Sequence, residues 1–488
     1  MYHKNCITVL SLLLVVLGAL LIALKSNFYN YGMHTLLTFE PGSQLFNAWV
    51  KSPPGVNFDV YVFNWTNPED FKNLSTKPIL KEVGPFRFRQ VIEKVNATMH
   101  GNETMSYYRR RTFYFNRDES VHDLDFNLTI PNPVAMALAH RARNWNFFSK
   151  KGVYLALSSL IDDNLHITKP AGELIFTGYE DPILSAADKF SFFTDAPPSK
   201  NFAFFYGKNG SATFDGIFNV GIGGDHPLGQ IFEWNYQNDT DYYEESCSKF
   251  EGSAGDFFPR FNTDKTLKLF HSDVCRTLVA DYEGNTTVHG IEGLKYVMGD
   301  HFLDNGTLIP GNECTCGEHC LPYGVVYATA CKQKSPNYLS LPHFYKADPY
   351  FVDKLIGVKP DPDRHDFHLI YEPTTGLPLE LLPRLQINVL MQPISYINMY
   401  EDIPTVLFPL IWFEQTLGMP SSSAFLVKII LNMNDICLTV GILLITLGIL
   451  IFLFLAYKIR NTDFCPNDHH KNFLPKELVP LKEKETPT

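Results

Sequence analysis

Two uncharged apolar runs near the ends of the chain constrain the fold more than any other feature. Ile7–Leu24, "ITVLSLLLVVLGALLIAL", holds 18 residues without a charge, between Lys4 and Lys25. Ile436–Tyr457, "ICLTVGILLITLGILIFLFLAY", holds 22, followed by Lys458 and Arg460. At a rise of about 1.5 Å per residue the runs reach roughly 27 and 33 Å, enough for a hydrocarbon core of about 30 Å. In lipid, backbone amides must bond internally, so each run is expected to be a helix. The first run exceeds the usual length of a signal-peptide apolar stretch, and no A-x-A site precedes Lys25, so it reads as an uncleaved anchor. Lys458 and Arg460 put the second run's flank in the cytoplasm. The simplest topology is a hairpin: cytoplasmic residues 1–6, spans at 7–24 and 436–457, a cytoplasmic tail over 458–488, and residues 25–435 outside.

The intervening stretch carries nine Asn-x-Ser/Thr sequons, at Asn64, Asn73, Asn96, Asn102, Asn127, Asn209, Asn238, Asn285 and Asn305, and neither flank carries one. That distribution fits a glycosylated ectodomain. The same stretch holds six cysteines: Cys247, Cys275, Cys314, Cys316, Cys320 and Cys331. "ECTCGEHC" (313–320) also offers His319, a spacing that zinc can use, but no second cluster completes a structural finger. An even count in an oxidising compartment reads as disulfides, whose 15 pairings spacing alone cannot choose among. Cys6 and Cys465 lie on the cytoplasmic flanks, where S-palmitoylation is expected.

Composition excludes disorder and a polytopic transporter: 45% of residues are hydrophobic and 19% charged. Short alternating or aromatic runs bounded by Asn, Gly and Pro predict strands at 58–65, 84–95, 111–116, 201–207, 230–236 and 385–391. Helical periodicity is concentrated from Pro131 onward, with Gly152 dividing two apolar stretches. One large β-rich ectodomain with an inserted helical bundle over 131–175 is therefore expected. "VGIGGDH" (220–226) reads as a turn, lacking the helix and acidic partner of a nucleotide site. No hydrolase, zincin or Walker pattern occurs, so no enzyme and no cofactor are expected. A net charge of −11 without a basic stripe argues against nucleic acid. Ala19 and Ala23, and Gly441 and Gly448, are spaced so that the spans can approach another helix.

Several long motifs resemble the class B scavenger receptor family, which includes fatty acid translocase, lysosomal integral membrane proteins and insect sensory neuron membrane proteins. They are "KPILKEVGPFRFRQ" (77–90), "FTGYEDPIL" (176–184), "FFPRFNTDKTLKLFHSDVCRTL" (257–278), "YLSLPHFYKADP" (338–349), "YEPTTGLPLELLPRLQINVLMQP" (371–393) and "LFPLIWFEQ" (407–415). The set is nearer the family's invertebrate members. The resemblance implies a large irregular antiparallel β-barrel with an internal tunnel, capped by the helical bundle and anchored by two transmembrane helices. It implies the pairing Cys247–Cys314, Cys275–Cys331 and Cys316–Cys320. It also implies a cell-surface receptor that binds lipids or lipoprotein-like ligands and promotes their uptake. The alternatives are a lysosomal or endosomal cargo receptor, and a recognition receptor for apoptotic cells or microbes without lipid transfer. The expected partners are fatty acids, sterols or carotenoids, lipoprotein particles, the lipid bilayer and further copies of the chain in a homo-oligomer.

The ligand-binding candidates lie in the bundle. Its charges are Arg141, Arg143, Lys150, Lys151 and Lys169 against Asp162, Asp163 and Glu173, a balance of 5 − 3 = +2 on an acidic chain. A basic apex favours anionic surfaces. In "SSLIDDNLHITK" (158–169), Asp162 and Asp163 occupy a turn that is lysine-rich in fatty acid translocase, leaving His166 and Lys169 as the nearest basic groups. That departure points to a more neutral cargo.

Overall fold

The computed structural model describes residues 2–52, 56–72, 76–162, 164–186, 199–243, 247–316, 320–328 and 337–463. They form two compact units, one containing the terminal apolar helices and the other residues 33–428.

In the first unit, helix α1 (Tyr2–Leu37) contains the first apolar run, and the Met433–Asp463 helix contains the second. Glycine lets the two backbones approach. A Cβ added to Gly441 would lie 2.5 Å from Ile22 Cγ1 and 2.8 Å from the Gly18 carbonyl oxygen. One added to Gly448 would lie 2.7 Å from the Ser11 carbonyl oxygen. Gly441 and Gly448 thus pack as their spacing predicts. On α1, however, Gly18 makes the contact, while Ala19 and Ala23 face outward. Only glycine removes enough bulk at the crossing point.

The second unit is built on strands β1 (Val56–Trp65), β2 (Leu80–Met99), β3 (Thr104–Phe115), β4 (Asn127–Pro131), β5 (His166–Pro170), β6 (Tyr179–Glu180), β7 (Asn201–Phe202), β8 (Ile217–Gly221) and β9 (Ile231–Trp234). It continues with β10 (Thr266–His271), β11 (Arg276–Val288), β12 (Ile291–Val297), β13 (Val326–Tyr327), β14 (Asn337–Ser340), β15 (His368–Tyr371), β16 (Pro378–Leu382), β17 (Arg384–Met391) and β18 (Val406–Gly418). Fourteen strands form one antiparallel sheet, ordered β10-β11-β12-β15-β16-β18-β1-β2-β3-β8-β9, with β13-β14-β17 joining at β18. Alternation sets its faces: on β3, Met105, Tyr107, Arg111 and Phe113 point inward, with polar neighbours between them.

The sheet's two edges are bridged by a short segment. Ile231 donates its amide to Gly252 O (2.9 Å), Ser253 donates to Lys268 O (3.0 Å), and Phe270 donates to Ser253 O (2.8 Å). Residues 252–254 thus serve β9 and β10 at once, which leaves the sheet nearly closed as a barrel. Inside, Phe58, Phe113, Phe176, Phe205 and Phe413 pack with centroids 4.7–5.7 Å apart in most pairs. These rings are core in this structure.

The expected 201–207 strand is shorter than predicted. Pairing stops at Phe202, and Phe204 and Phe205 donate their amides to Leu174 O and Ile175 O instead. The apolar run is buried through a turn rather than a ladder.

Candidate functional site

The helical insertion is held between β4 and β5, which pair with each other, and Asn132 N–H bonds Leu165 O at 2.8 Å where the chain leaves and returns. Thr129 N–H also donates to Asn64 Oδ1 (2.8 Å), tying the hairpin to β1. Helix α2 (Gln44–Val50) lies elsewhere, against β2. Helix α3 (Pro133–Ala142) starts with Asn132 Oδ1 accepting the Ala135 amide and Pro133 in its first turn. It is buried almost all round, through Val134, Ala135, Met136, Leu138, Ala139 and Ala142.

Helix α4 (Phe147–Ile161) begins where Asn146 Oδ1 accepts the Ser149 amide at 2.9 Å. The division of the helical region is therefore at residues 143–146. Gly152, expected to divide it, lies inside α4, where intrahelical hydrogen bonds outweigh the modest cost of glycine. Helix α4 buries Val153, Ala156 and Leu157 and turns the other side to solvent.

That outer face is apolar as well as basic. Phe148 is 83% exposed and Leu155 65%, and with Lys151 they sit at i, i+3 and i+7, a single stripe. Phe147 and Lys150 form the adjacent stripe. The loop at Tyr396–Asn398 fixes both. Phe147 packs edge-on to Tyr396 (centroids 4.9 Å), Lys150 Nζ lies 5.8 Å from the Tyr396 ring, and Lys151 Nζ donates to Asn398 Oδ1 at 3.0 Å. Cationic heads beside exposed rings make a surface suited to an anionic, apolar interface.

The other predicted ligand residues are not gathered there. Asp162 caps the far end of α4 in a left-handed conformation, about 18 Å along the axis from Lys150. Asp163 lies outside the described residues. His166 faces Glu69 (3.7 Å) and Trp65, and Lys169 lies over the Tyr179 ring (4.9 Å). Periodicity could not reveal this separation, because β5 turns away from the helix. Tyr396 and Asn398 were missed for a similar reason: they are more than 230 residues further along the chain.

A second polar cluster lies between β2, β18 and the 343–365 segment. Glu82 accepts from His343 Nε2 (2.5 Å), Trp412 Nε1 (2.8 Å) and Arg364 Nη2 (3.0 Å), which together hold its pKa down at about 2 despite burial. The His343 and His365 rings stack at 4.4 Å. The three side chains have the composition of a metal site, but their hydrogen bonds oppose it. His343 Nδ1 accepts the Lys359 amide (3.0 Å) and His365 Nδ1 accepts the Asp361 amide (2.9 Å). Each neutral ring then carries its proton on Nε2, with no lone pair left for an ion.

Cys247 is bonded to Cys314 (Cα–Cα 6.3 Å) and Cys316 to Cys320 (4.3 Å), so these four sulfurs are not zinc ligands. Cys275 is also disulfide-bonded; Cys331 lies outside the described residues, as do Cys465 and Asn73. Cys6 is exposed with a free thiol. Asn96, Asn102, Asn127, Asn209, Asn238 and Asn285 are exposed, and Asn64 and Asn305 half-buried.

The CD36 family model matches residues 9–459. The chain is similar to Protein peste of Drosophila melanogaster, 36% identical over 386 residues, covering 78% of this chain and 69% of that protein. It is similar to the rat Scavenger receptor class B member 1, at 28% identity over 464 residues, covering 94% and 89%. Human Lysosome membrane protein 2 is 29% identical over 460 residues, covering 92% and 94%.

Proposed function

This chain belongs to the CD36 family, and from that premise we propose that it is a scavenger-type receptor of the cell surface that captures lipidic ligands and promotes their uptake. It is a membrane protein with two spanning helices. The observation that carries the reading is the outer face of α4, where Phe147, Phe148 and Leu155 stand exposed beside Lys150 and Lys151. Such a face gains by insertion of its rings into a lipid surface, about 25 cal/mol per Å² of apolar area covered, and its lysines steer anionic particles toward it. After capture, an apolar conduit through the barrel delivers acyl chains toward the bilayer and avoids about 0.8 kcal/mol per CH₂ exposed to water. The segment between the spans is extracellular, with the exposed sequons glycosylated and Cys6 acylated.

The test is vesicle binding by the purified, membrane-reconstituted chain. Charge reversal at Lys150 and Lys151 is expected to weaken binding of phosphatidylserine vesicles about tenfold at low salt, less at high salt. Phe148→Ser is expected to weaken binding at every salt concentration. Lys169→Glu is expected to do neither, because Lys169 sits over Tyr179. Unchanged binding in all three variants overturns the reading. The similarity to a lysosome membrane protein supports a second reading, residence in an internal membrane; steady-state imaging decides between them.

A further inference from the structure

Charges inside the barrel unit are paired almost throughout. Lys94 meets Asp256 (2.7 Å), Arg111 meets Asp215 (2.9 Å), Lys208 meets Asp273 (2.7 Å) and Arg384 meets Glu414 (2.5 Å). Arg276 is different. It opens β11 and is only 5% exposed. Among the described residues no carboxylate lies within ion-pair range of it. Its one hydrogen bond is from Nε to the Thr277 carbonyl oxygen at 3.4 Å, and Nη1 is buried without a partner. The Tyr243 ring lies 5.6 Å from the guanidinium. That phenol gives no counter-charge: its proton is donated to Val274 O (3.1 Å), and burial pushes its pKa up to about 12.

A guanidinium cannot escape burial by losing its proton. An uncompensated buried charge destabilises a fold, and methionine or leucine would fill the volume without that cost. Arginine also offers a planar fork of donors matched to carboxylate or phosphate. Along β11, Leu278 and Ala280 are buried on the same face as Arg276, opposite Leu269 and Leu267 of β10. The cation therefore stands at the head of an apolar row. A free hydrated anion gains little by entering such a place; the ionised head of an amphiphile, already partly desolvated, gains more.

We propose that Arg276 is the docking group for the anionic head, carboxylate or phosphate, of an amphiphilic lipid held inside the barrel unit, a site separate from the α4 face. The proposal rests on the lipid-capture reading. It makes Arg276 a residue kept at the expense of the empty protein's stability.

The experiment uses the full chain in neutral detergent. The probes are cis-parinaric acid, a naturally fluorescent fatty acid, its methyl ester, and inorganic phosphate as competitor. The acid is expected to bind at least about tenfold tighter than the ester. Arg276→Met is expected to erase that preference, leave ester binding unchanged and leave the melting temperature of the lipid-free protein unchanged or raised. Arg276→Lys is expected to retain part of the preference. Charge reversal at Lys150 and Lys151 is expected to spare acid binding. Equal acid binding by the wild type and Arg276→Met overturns the site alone. So does a lower melting temperature in Arg276→Met that Arg276→Lys restores, since that marks a structural arginine. Displacement of the acid by millimolar phosphate overturns the amphiphile in favour of a free-anion site. Failure of both acid and ester to bind the wild type overturns the lipid-capture reading and this site with it.

Discussion

Closure of the barrel depends on one hydrogen atom at position 252. Gly252 has φ +78°, and an added Cβ would stand 2.2 Å from Lys268 O, a backbone atom already receiving the Ser253 amide. Neither side can yield without losing the bridge between β9 and β10. Gly255 is a built-in comparison: φ is +95°, but its nearest neighbour is Leu269 Cδ1 at 3.5 Å. Gly255→Ala is expected to cost about 1–2 kcal/mol, from left-handed strain alone. Gly252→Ala is expected to cost at least about twice that, because a backbone clash adds to the strain. Thermal unfolding of the detergent-solubilised chain checks both, and equal shifts would deny the closing segment its role. Buried His343 is another single-residue constraint that sequence alone conceals. Its two ring nitrogens are committed to Lys359 and Glu82, although sequence spacing gives no hint that 82, 343 and 359 meet.

Among the elements, α4 is the one whose order controls presentation of the candidate surface. Asn146 fixes its first turn, and that turn carries Phe147, Phe148, Lys150 and Lys151. Asn146→Ala is expected to cost about 1 kcal/mol locally, while Asn146→Asp keeps the cap. Hydrogen exchange at residues 147–151 is expected to speed about fivefold in the alanine variant, with a parallel fall in vesicle binding. If exchange rises while binding holds, a preformed first turn is not needed for capture. This element also shows how far the sequence could be read. The helical region was legible from its 3.6-residue period and the proline near its start, and strands β1, β2, β3, β9 and β17 from short alternating or aromatic runs bounded by turn residues. The break inside the region lies at the Asn146 cap and not at Gly152, because a lone glycine does not end a helix whose hydrogen bonds run on through it. The 201–207 run was overextended because burial without pairing has the same composition as a strand. Lys150 and Lys151 were legible as surface charges. Their partners Tyr396 and Asn398, and the isolation of Arg276, depend on tertiary contacts that no local pattern encodes.

At the scale of the whole molecule, buried histidines make stability depend on pH between neutral and mildly acidic conditions. Burial and the neighbouring Arg364 guanidinium push the His365 pKa down to about 3 from the usual 6.5. The unfolded chain therefore binds a proton below pH 6.5 that the folded chain refuses until about pH 3. Stability falls as pH drops through that window, by about 2 kcal/mol at pH 5. His271, pushed down to about 4 by burial, acts in the same direction. Glu82 acts lower: its contribution is intact above the ordinary carboxylate pKa of 4.5 and is lost only as pH falls toward 2. Between pH 7.5 and 5 the histidines thus dominate among these three groups. His365→Asn keeps an acceptor near the Nδ1 position for the Asp361 amide and removes the titration. The wild-type melting temperature is expected to drop between pH 7.5 and 5, and the variant's by clearly less, the difference corresponding to about 2 kcal/mol. Parallel curves for the two proteins would mean that His365 is solvated and freely protonated in the folded state. The ring stacked on His343 and held at Nδ1 by the Asp361 amide would then not be the rigid node its contacts describe.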